Sequence, residues 1–175
     1  MTSPVYIVDI IGDCVALANA KLAMLPTPIV CSYTYGRQVN ILEYLQNLRN
    51  NPNGSGNAVY PLIALFMDFP EDRGVEYYCK VTIPRLQISC ITQSTADIPT
   101  RYNSLTFKPI LYPIYYALLQ AFANCGNIVG NDPDSFIHRK FDRPYSQPVS
   151  AGLQDYIDAI ELNNLTLTIS QTKTC

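Results

Sequence analysis

The run from Arg101 to Phe122, RYNSLTFKPILYPIYYALLQAF, constrains the fold more than any other part of this chain. Pro109 and Pro113 sit just ahead of Ile114-Tyr115-Tyr116-Ala117-Leu118-Leu119-Gln120-Ala121-Phe122. Proline is tolerated in the first turn of a helix, where its missing N–H has no partner to lose. The pattern therefore predicts a helix that begins near Pro109 or Pro113 and runs to about Cys125, where Asn124 and Gly126 stop it. It carries no charge from Pro109 to Cys125. A helix apolar on nearly all sides is buried on more than one of them, against a sheet, another subunit, or both.

A chain of 175 residues suits one domain, 1–175, with a real hydrophobic core. The net charge is −2 and the 12 basic residues are scattered, which argues against wrapping DNA or RNA. Charged residues make up 15% of the chain, against about 25% in an average soluble domain. There are 13 tyrosines and no tryptophan. That balance fits a protein that buries surface against partners, and it fits as well a small core with tyrosines at its rim. The apolar segment 110–123 falls short of the ~20 residues a spanning helix needs. The N-terminal VYIVDIIGDCVALANAKLAML is interrupted by Asp9, Asp13 and Lys21 and lacks the basic start of a signal peptide. The expectation is an amphipathic helix, no membrane contact, and a protein that stays in the cytoplasm where it is made. The six cysteines, Cys14, Cys31, Cys79, Cys90, Cys125 and Cys175, form no CxxC pair. One histidine cannot complete a zinc site of the usual kind. Most of these cysteines sit in apolar segments and behave there as small hydrophobes rather than as a disulfide framework.

Helical spacing at Ile7, Ile10, Ile11, Cys14, Val15, Ala18 and Leu22 predicts a first helix over 5–22, with Ser3 as N-cap and Pro4 at its first position. Pro26-Thr27-Pro28 ends it. Ile29 to Tyr35 reads as a short strand and Gly36 as a turn. Val39, Leu42, Leu45 and Leu48 predict an amphipathic helix over 37–49, and NNPNGSGN at 50–57 a loop. YPLIALFMDF at 60–69 suits a strand covered on both faces, and 70–76 a charged loop. Tyr77 to Thr92 reads as a long strand, with Pro84 placing it at an edge or at a bulge. QSTADIPT at 93–100 leads into the long helix. A loop-rich insert follows at about 126–152, and Leu165 to Ile169 alternate as a half-buried terminal strand after Ala159-Ile160-Glu161-Leu162. The fold class is α+β: a mostly antiparallel sheet flanked by helices, with the two central strands as a hairpin.

Chemistry-bearing patterns are sparse. His138, in FIHRKFDRPY, has Asp142 four residues on but no helical pattern to put both on one face, and reads as a hydrogen-bonded loop histidine. Asp155, Asp158 and Glu161 are spaced by three, yet Asp158-Ala159-Ile160 leads straight into a strand, so surface or loop-capping roles are expected rather than metal binding. Asp68 reads as a turn cap at a strand end. The glycines of NGSGN are followed by no Lys-Ser/Thr, and no GxGxxG is present. The expectation is no enzyme, no cofactor and no metal.

Several segments together do carry a resemblance: Tyr35-Gly36 before a helix, YPLIALFMDF at 60–69, RYNSLTFKPILYPIYYALL at 101–119, HRKFDR at 138–143 and DAIELNNLTLTI at 158–169. This pattern resembles small structural proteins of tailed bacteriophages and prophages of gut Bacteroidetes bacteria, similar to tail terminator, tail completion and neck ring proteins. The crAss-like phages are one candidate source. The resemblance covers about 35 to 169. It implies a tail terminator-like α+β subunit repeated around the tail axis as a homo-oligomeric ring, sixfold or twelvefold. Such a ring sits in the virion at the neck or tail end, is assembled in the host cytoplasm, contacts portal, neck or tail proteins, and lets DNA pass without specific binding. On this reading Arg101, Tyr102, Phe107, Tyr112, His138, Asp142, Arg143 and Tyr145 are candidate interface or loop-ordering residues. One departure is Pro144-Tyr145-Ser146, where such proteins carry an aromatic residue followed by glycine, so the loop conformation there differs. The alternative from the residues themselves is a small-molecule binding domain or enzyme of the bacterial cytoplasm with a pocket near His138, Asp142 and Arg143.

Overall fold

The computed structural model describes residues 6–50, 59–75, 78–92, 96–130, 132–144 and 157–170. The first helix, α1 (Ile7–Leu22), buries Ile7, Ile10, Ile11, Cys14, Val15, Ala18 and Leu22, the same seven positions its spacing picks out. It starts at Ile7 after an extended Tyr6 rather than at Pro4; Ser3 and Pro4 lie outside the described residues. Asp9 in the first turn and Lys21 in the last complement the helix dipole.

Strand β1 (Ser32–Gly36), helix α2 (Gln38–Asn50) and strand β2 (Leu62–Phe66) form a parallel β-α-β unit. Gly36 makes the turn into α2: its φ of +150 suits glycine, and a Cβ there would lie 3.2 Å from Asn40 Cβ. The buried side of α2 differs from the stripe its sequence suggests. Ile41 is buried, Leu42 and Leu45 are half-buried, and Val39 stands out at 57% exposure. A strict three-residue repeat drifts by about 60° per step around a 3.6-residue helix, so Val39 and Leu45 cannot share one face.

Strands β3 (Glu71–Val75), β4 (Tyr78–Ile91), β5 (Arg139–Pro144) and β6 (Ile157–Ser170) complete the described sheet. Its order is β1-β2-β4-β6-β5, with β3 also paired to β4. Every pairing except β1 with β2 is antiparallel, which makes the expected α+β, mostly antiparallel architecture. Two strands fall where loops were expected: β3 within 70–76 and β5 within 126–152. The 14-residue β4 is central rather than marginal. Its Pro84 is accommodated because β3 pairs with 78–81 and β2 with 85–89, so neither neighbour needs its missing N–H.

Pro84 also marks a change of face. Core-facing residues of β4 are Cys79, Val81 and Ile83 on one side of it and Leu86, Ile88 and Cys90 on the other, odd numbers giving way to even. Strand β6 changes at the same level, from Ile160 and Leu162 to Leu165, Leu167 and Ile169. Asn164, with φ 56, stands at this point and supplies the left-handed residue. Both strands thereby keep one apolar face toward the helices along their whole length.

The long helix α3 (Tyr112–Asn124) packs with α1 on that apolar face. It buries Ile114, Tyr115, Ala117, Leu118, Leu119, Ala121 and Phe122, and leaves Tyr116 and Asn124 exposed, so one side remains open. Its path begins earlier than Pro109. Asp97 caps a single turn, Ile98–Thr100, by accepting from Thr100 N at 3.1 Å. Two wide π-type turns follow, Arg101–Leu105 and Phe107–Leu111. Here bonds take five-residue spacing, Thr106 N donating to Arg101 O at 3.0 Å and Leu111 N to Thr106 O at 2.9 Å, beside a four-residue bond from Ile110 N to Thr106 O at 3.1 Å; Pro109 and Pro113 have no N–H to give the ladder. No helix among the described residues is long and apolar enough to cross a membrane.

Candidate functional site

The wide turns set up the most chemically elaborate region described. In an α-helix, residues five apart point well away from each other. In the widened turns Tyr102, Phe107 and Tyr112 come into one column. Tyr102 and Phe107 stack with centroids 4.1 Å apart and planes 9° from parallel, and Phe107 and Tyr112 meet at 6.2 Å. Phe107 is fully buried. One α-helical turn further, Tyr115 continues the column to the His138 ring, 5.8 Å away.

A buried ion pair fixes these turns to the sheet. Arg101 extends Nε and Nη2 to the two carboxylate oxygens of Asp158, Nε at 3.2 Å, in a forked arrangement. Thr106 Oγ1 lies 2.5 Å from Asp158 Oδ2 and 3.0 Å from Arg101 O. Its single proton goes to the closer, charged acceptor. Asp158 lies in β6 with no exposed surface and Arg101 is 4% exposed. The sequence reading of Asp158 and Glu161 as surface or loop-capping groups is therefore corrected. Both are buried strand residues, and they face opposite sides of the sheet: Asp158 toward Arg101, and Glu161 toward Arg143 Nε at 3.2 Å. Asp155 lies outside the described residues.

The hydroxyls of α3 reach the loop and strand that follow it. Tyr112 donates to Asp142 Oδ2 at 2.7 Å, and Lys140 Nζ bonds Asp142 Oδ1 at 2.6 Å while lying 4.6 Å above the Tyr112 ring. His138 Nδ1 is 2.8 Å from Phe136 O, a pure acceptor, so Nδ1 carries the proton. In the neutral ring Nε2 then accepts from the Tyr115 hydroxyl, also at 2.8 Å. His138 is thus the hydrogen-bonded histidine its sequence suggests, with both nitrogens engaged.

Six of the eight sequence-derived residues come together here: Arg101, Tyr102, Phe107, Tyr112, His138 and Asp142. Arg143 does not, because it points to the opposite face of β5 from Asp142. Tyr145 lies outside the described residues. Among the described residues, Asp142 and Arg143 thus do not converge: the first meets Tyr112 and the second Glu161. Thr106, Tyr115 and Lys140 belong to the cluster without having been singled out. The five-residue spacing of Tyr102, Phe107 and Tyr112 was an unread signal of it. Among the described residues no three His, Cys, Asp or Glu side chains group to hold a metal ion.

Burial, followed by the charge of Asp142, pushes the Tyr102 hydroxyl up to about 12. Burial and the bond to Asp142 raise Tyr112 further. Burial lifts Asp142 too, but bonds from Lys140 and Tyr112, the Lys140 charge and a bond from Tyr102 together hold it below the ordinary carboxylate value. Elsewhere, burial pushes the Cys31 thiol up to about 12, and burial with the nearby Asp158 charge does the same to Cys90. The unfolded chain releases thiol protons from about pH 9 and phenol protons near 10, whereas the folded chain holds them longer. The part of stability these groups control is therefore full below pH 9 and falls as pH rises toward 12, Cys31 and Cys90 each contributing roughly 1.4 kcal/mol of loss per pH unit. Urea midpoints measured at about pH 8 and about pH 11 are expected to drop steeply. Equal midpoints would mean that these groups are in contact with water.

No family model matches the chain, and no curated sequence is significantly similar to it.

Proposed function

We propose that this chain is a structural virion protein of a tailed bacteriophage: a subunit of a homo-oligomeric ring at the head–tail connector or the tail end. The ring keeps the DNA channel continuous and joins portal to tail or closes the tail tube. It has no catalytic role. The observation that carries this reading is the pair of unlike sheet edges, β1 and β5, that no strand among the described residues covers. A ring needs a head-to-tail contact, hence two different complementary surfaces on each subunit.

At one edge, Ser32 N donates to Pro61 O and Gly36 O accepts from Met67 N, so Ser32, Thr34 and Gly36 turn their backbone groups to β2. Tyr33 and Tyr35 turn theirs outward. The edge just before them is closed, since the Asn19 amide holds both Cys31 N, at 2.8 Å, and Cys31 O, at 2.9 Å. Strand β1 itself has no charged residue, and the exposed Asp9 of α1 lies near enough to act on the Tyr33 hydroxyl. At the other edge, β5 presents Arg139, Lys140 and Arg143 against the single Asp142. One edge offers backbone groups beside a carboxylate, and the other is rich in cations, Lys140 and Arg143 being paired to Asp142 and Glu161. The low charge and many tyrosines of the chain suit such contacts.

Electron microscopy and mass photometry of the purified chain at high concentration test this reading. Closed rings with a central hole are expected, and their copy number follows directly. Tyr35→Pro removes an outward N–H and a half-exposed ring that touches Tyr33 but leaves the β1–β2 ladder intact, so it is expected to leave the fold unchanged and abolish rings. A virion reconstruction with no ring of this chain would overturn the proposal.

A further inference from the structure

On the face of the sheet opposite α1 and α3, helix α2 roofs a cavity of ≈ 80 Å³. Gln38, Ile41, Leu42 and Leu45 line the roof, at the spacing of one helix face. The floor is the outer face of β2, where the small Ala64 between Leu62 and Phe66 leaves the space unfilled. Water needs only roughly 10–15 Å³ by the same measure, so the cavity has room for a ligand of several heavy atoms. Its walls are mainly apolar, with a few polar groups converging from β4: Arg85, Gln87 and Ser89.

Arg85 is the telling member. Its guanidinium carbon lies over the Phe66 ring, 3.4 Å from the centroid. Stacked this way, an arginine keeps its N–H groups in the plane of the fork, directed sideways and free to meet an acceptor. No carboxylate lies within ion-pair distance of it among the described residues, although Arg101, Lys140 and Arg143 each have one. Glu161, cross-strand from the neighbouring Gln87, is held by Arg143. Ser89 is committed to Leu62 O at 3.3 Å. The cavity thus joins an apolar interior to a cation stacked on its wall with no carboxylate partner among the described residues.

We propose that this cavity binds a small monocarboxylate with an apolar body, the carboxylate on the Arg85 fork and the body between α2 and β2. The site lies on the opposite face from the Arg101–Asp158 cluster and does not depend on ring assembly. Apolar enclosure with a few placed polar groups is the usual make-up of small-molecule sites, and a planar fork is the group that suits a carboxylate.

Hexanoate and benzoate are the probes, with hexanol as the neutral control, in isothermal titration of the full chain. Both acids are expected to bind saturably and hexanol much more weakly. Arg85→Met is expected to weaken the acids by tenfold or more, and Arg85→Lys to give an intermediate loss, with melting temperature and circular dichroism as checks of folding. Backbone amide shifts on adding hexanoate to the wild-type chain are expected over 38–45, 62–66 and 85–89. Three outcomes each overturn the proposal: no saturable binding of either acid at millimolar concentration, hexanol binding as well as hexanoate, or shifts confined to other parts of the chain. Because the shift map uses the unaltered protein, it decides the matter even where Arg85→Met does not fold.

Discussion

Arg101→Ala is expected to lower stability by about 3–5 kcal/mol, because it strips the partner from a carboxylate that has no access to water. Asp158 keeps only the Thr106 hydroxyl at 2.5 Å, one bond where a buried anion needs several. The loss also reaches beyond the pair. Thr106 stands at the junction of the two wide turns, and its backbone N–H closes the first of them on Arg101 O, so loosening Asp158 loosens the seam that holds the Tyr102–Phe107–Tyr112 column to β6. Removing both charges together behaves differently. Arg101→Met with Asp158→Leu is expected to come within about 1 kcal/mol of wild type, since apolar replacements of a buried pair are often neutral or better. Chemical denaturation of the two variants checks both values. If Arg101→Ala cost less than about 1 kcal/mol, the pair would be exposed and the region would be a surface contact.

How legible this was from sequence depends on distance along the chain. The buried face of helix α1, though not its start, was readable because its seven buried positions repeat locally, and β2 because a continuous apolar run is covered on both faces. Strands β3 and β5 were not. EDRGV and RKFDRP carry charges where an internal strand would carry aliphatic residues; they are strands because β4 and β6 offer them hydrogen bonds, and that offer comes from elsewhere in the chain. Pro84 was readable as a disturbance but not as one inside a central strand, because the gap between β3 and β2 that accommodates it is a feature of their pairing.

The same distinction separates the site residues. His138 shows its ordinary role in its own surroundings. Asp158 does not, because its partner Arg101 is 57 residues away, and alone it reads as the start of a strand. The turns from Arg101 to Leu111 were legible in one respect that a search for α-helical spacing discards. Aromatic residues at intervals of five do not share a face on an α-helix and do on a widened one. Arg143 shows the converse limit: adjacency to Asp142 in sequence places the two on opposite faces once the segment is a strand.

Leu118→Asp is expected to prevent folding. Leu118 has no exposed surface and sits in α3 among the buried residues of the apolar core. Removing a fully buried leucine costs about 2–5 kcal/mol, and placing a carboxylate there without a partner adds several more. The sum matches the whole stability of an ordinary domain, about 5–15 kcal/mol. Two variants of the same helix separate burial from helix-forming tendency. Leu118→Ala improves helix propensity yet is expected to lose about 2–5 kcal/mol. Tyr116→Asp brings the same carboxylate to a position 59% exposed, and is expected to cost less than about 1 kcal/mol. Circular dichroism and amide dispersion of the three report the order directly. A folded Leu118→Asp as stable as the wild type would place α3 outside the core, and with it the Tyr112 and Tyr115 hydroxyls that hold Asp142 and His138.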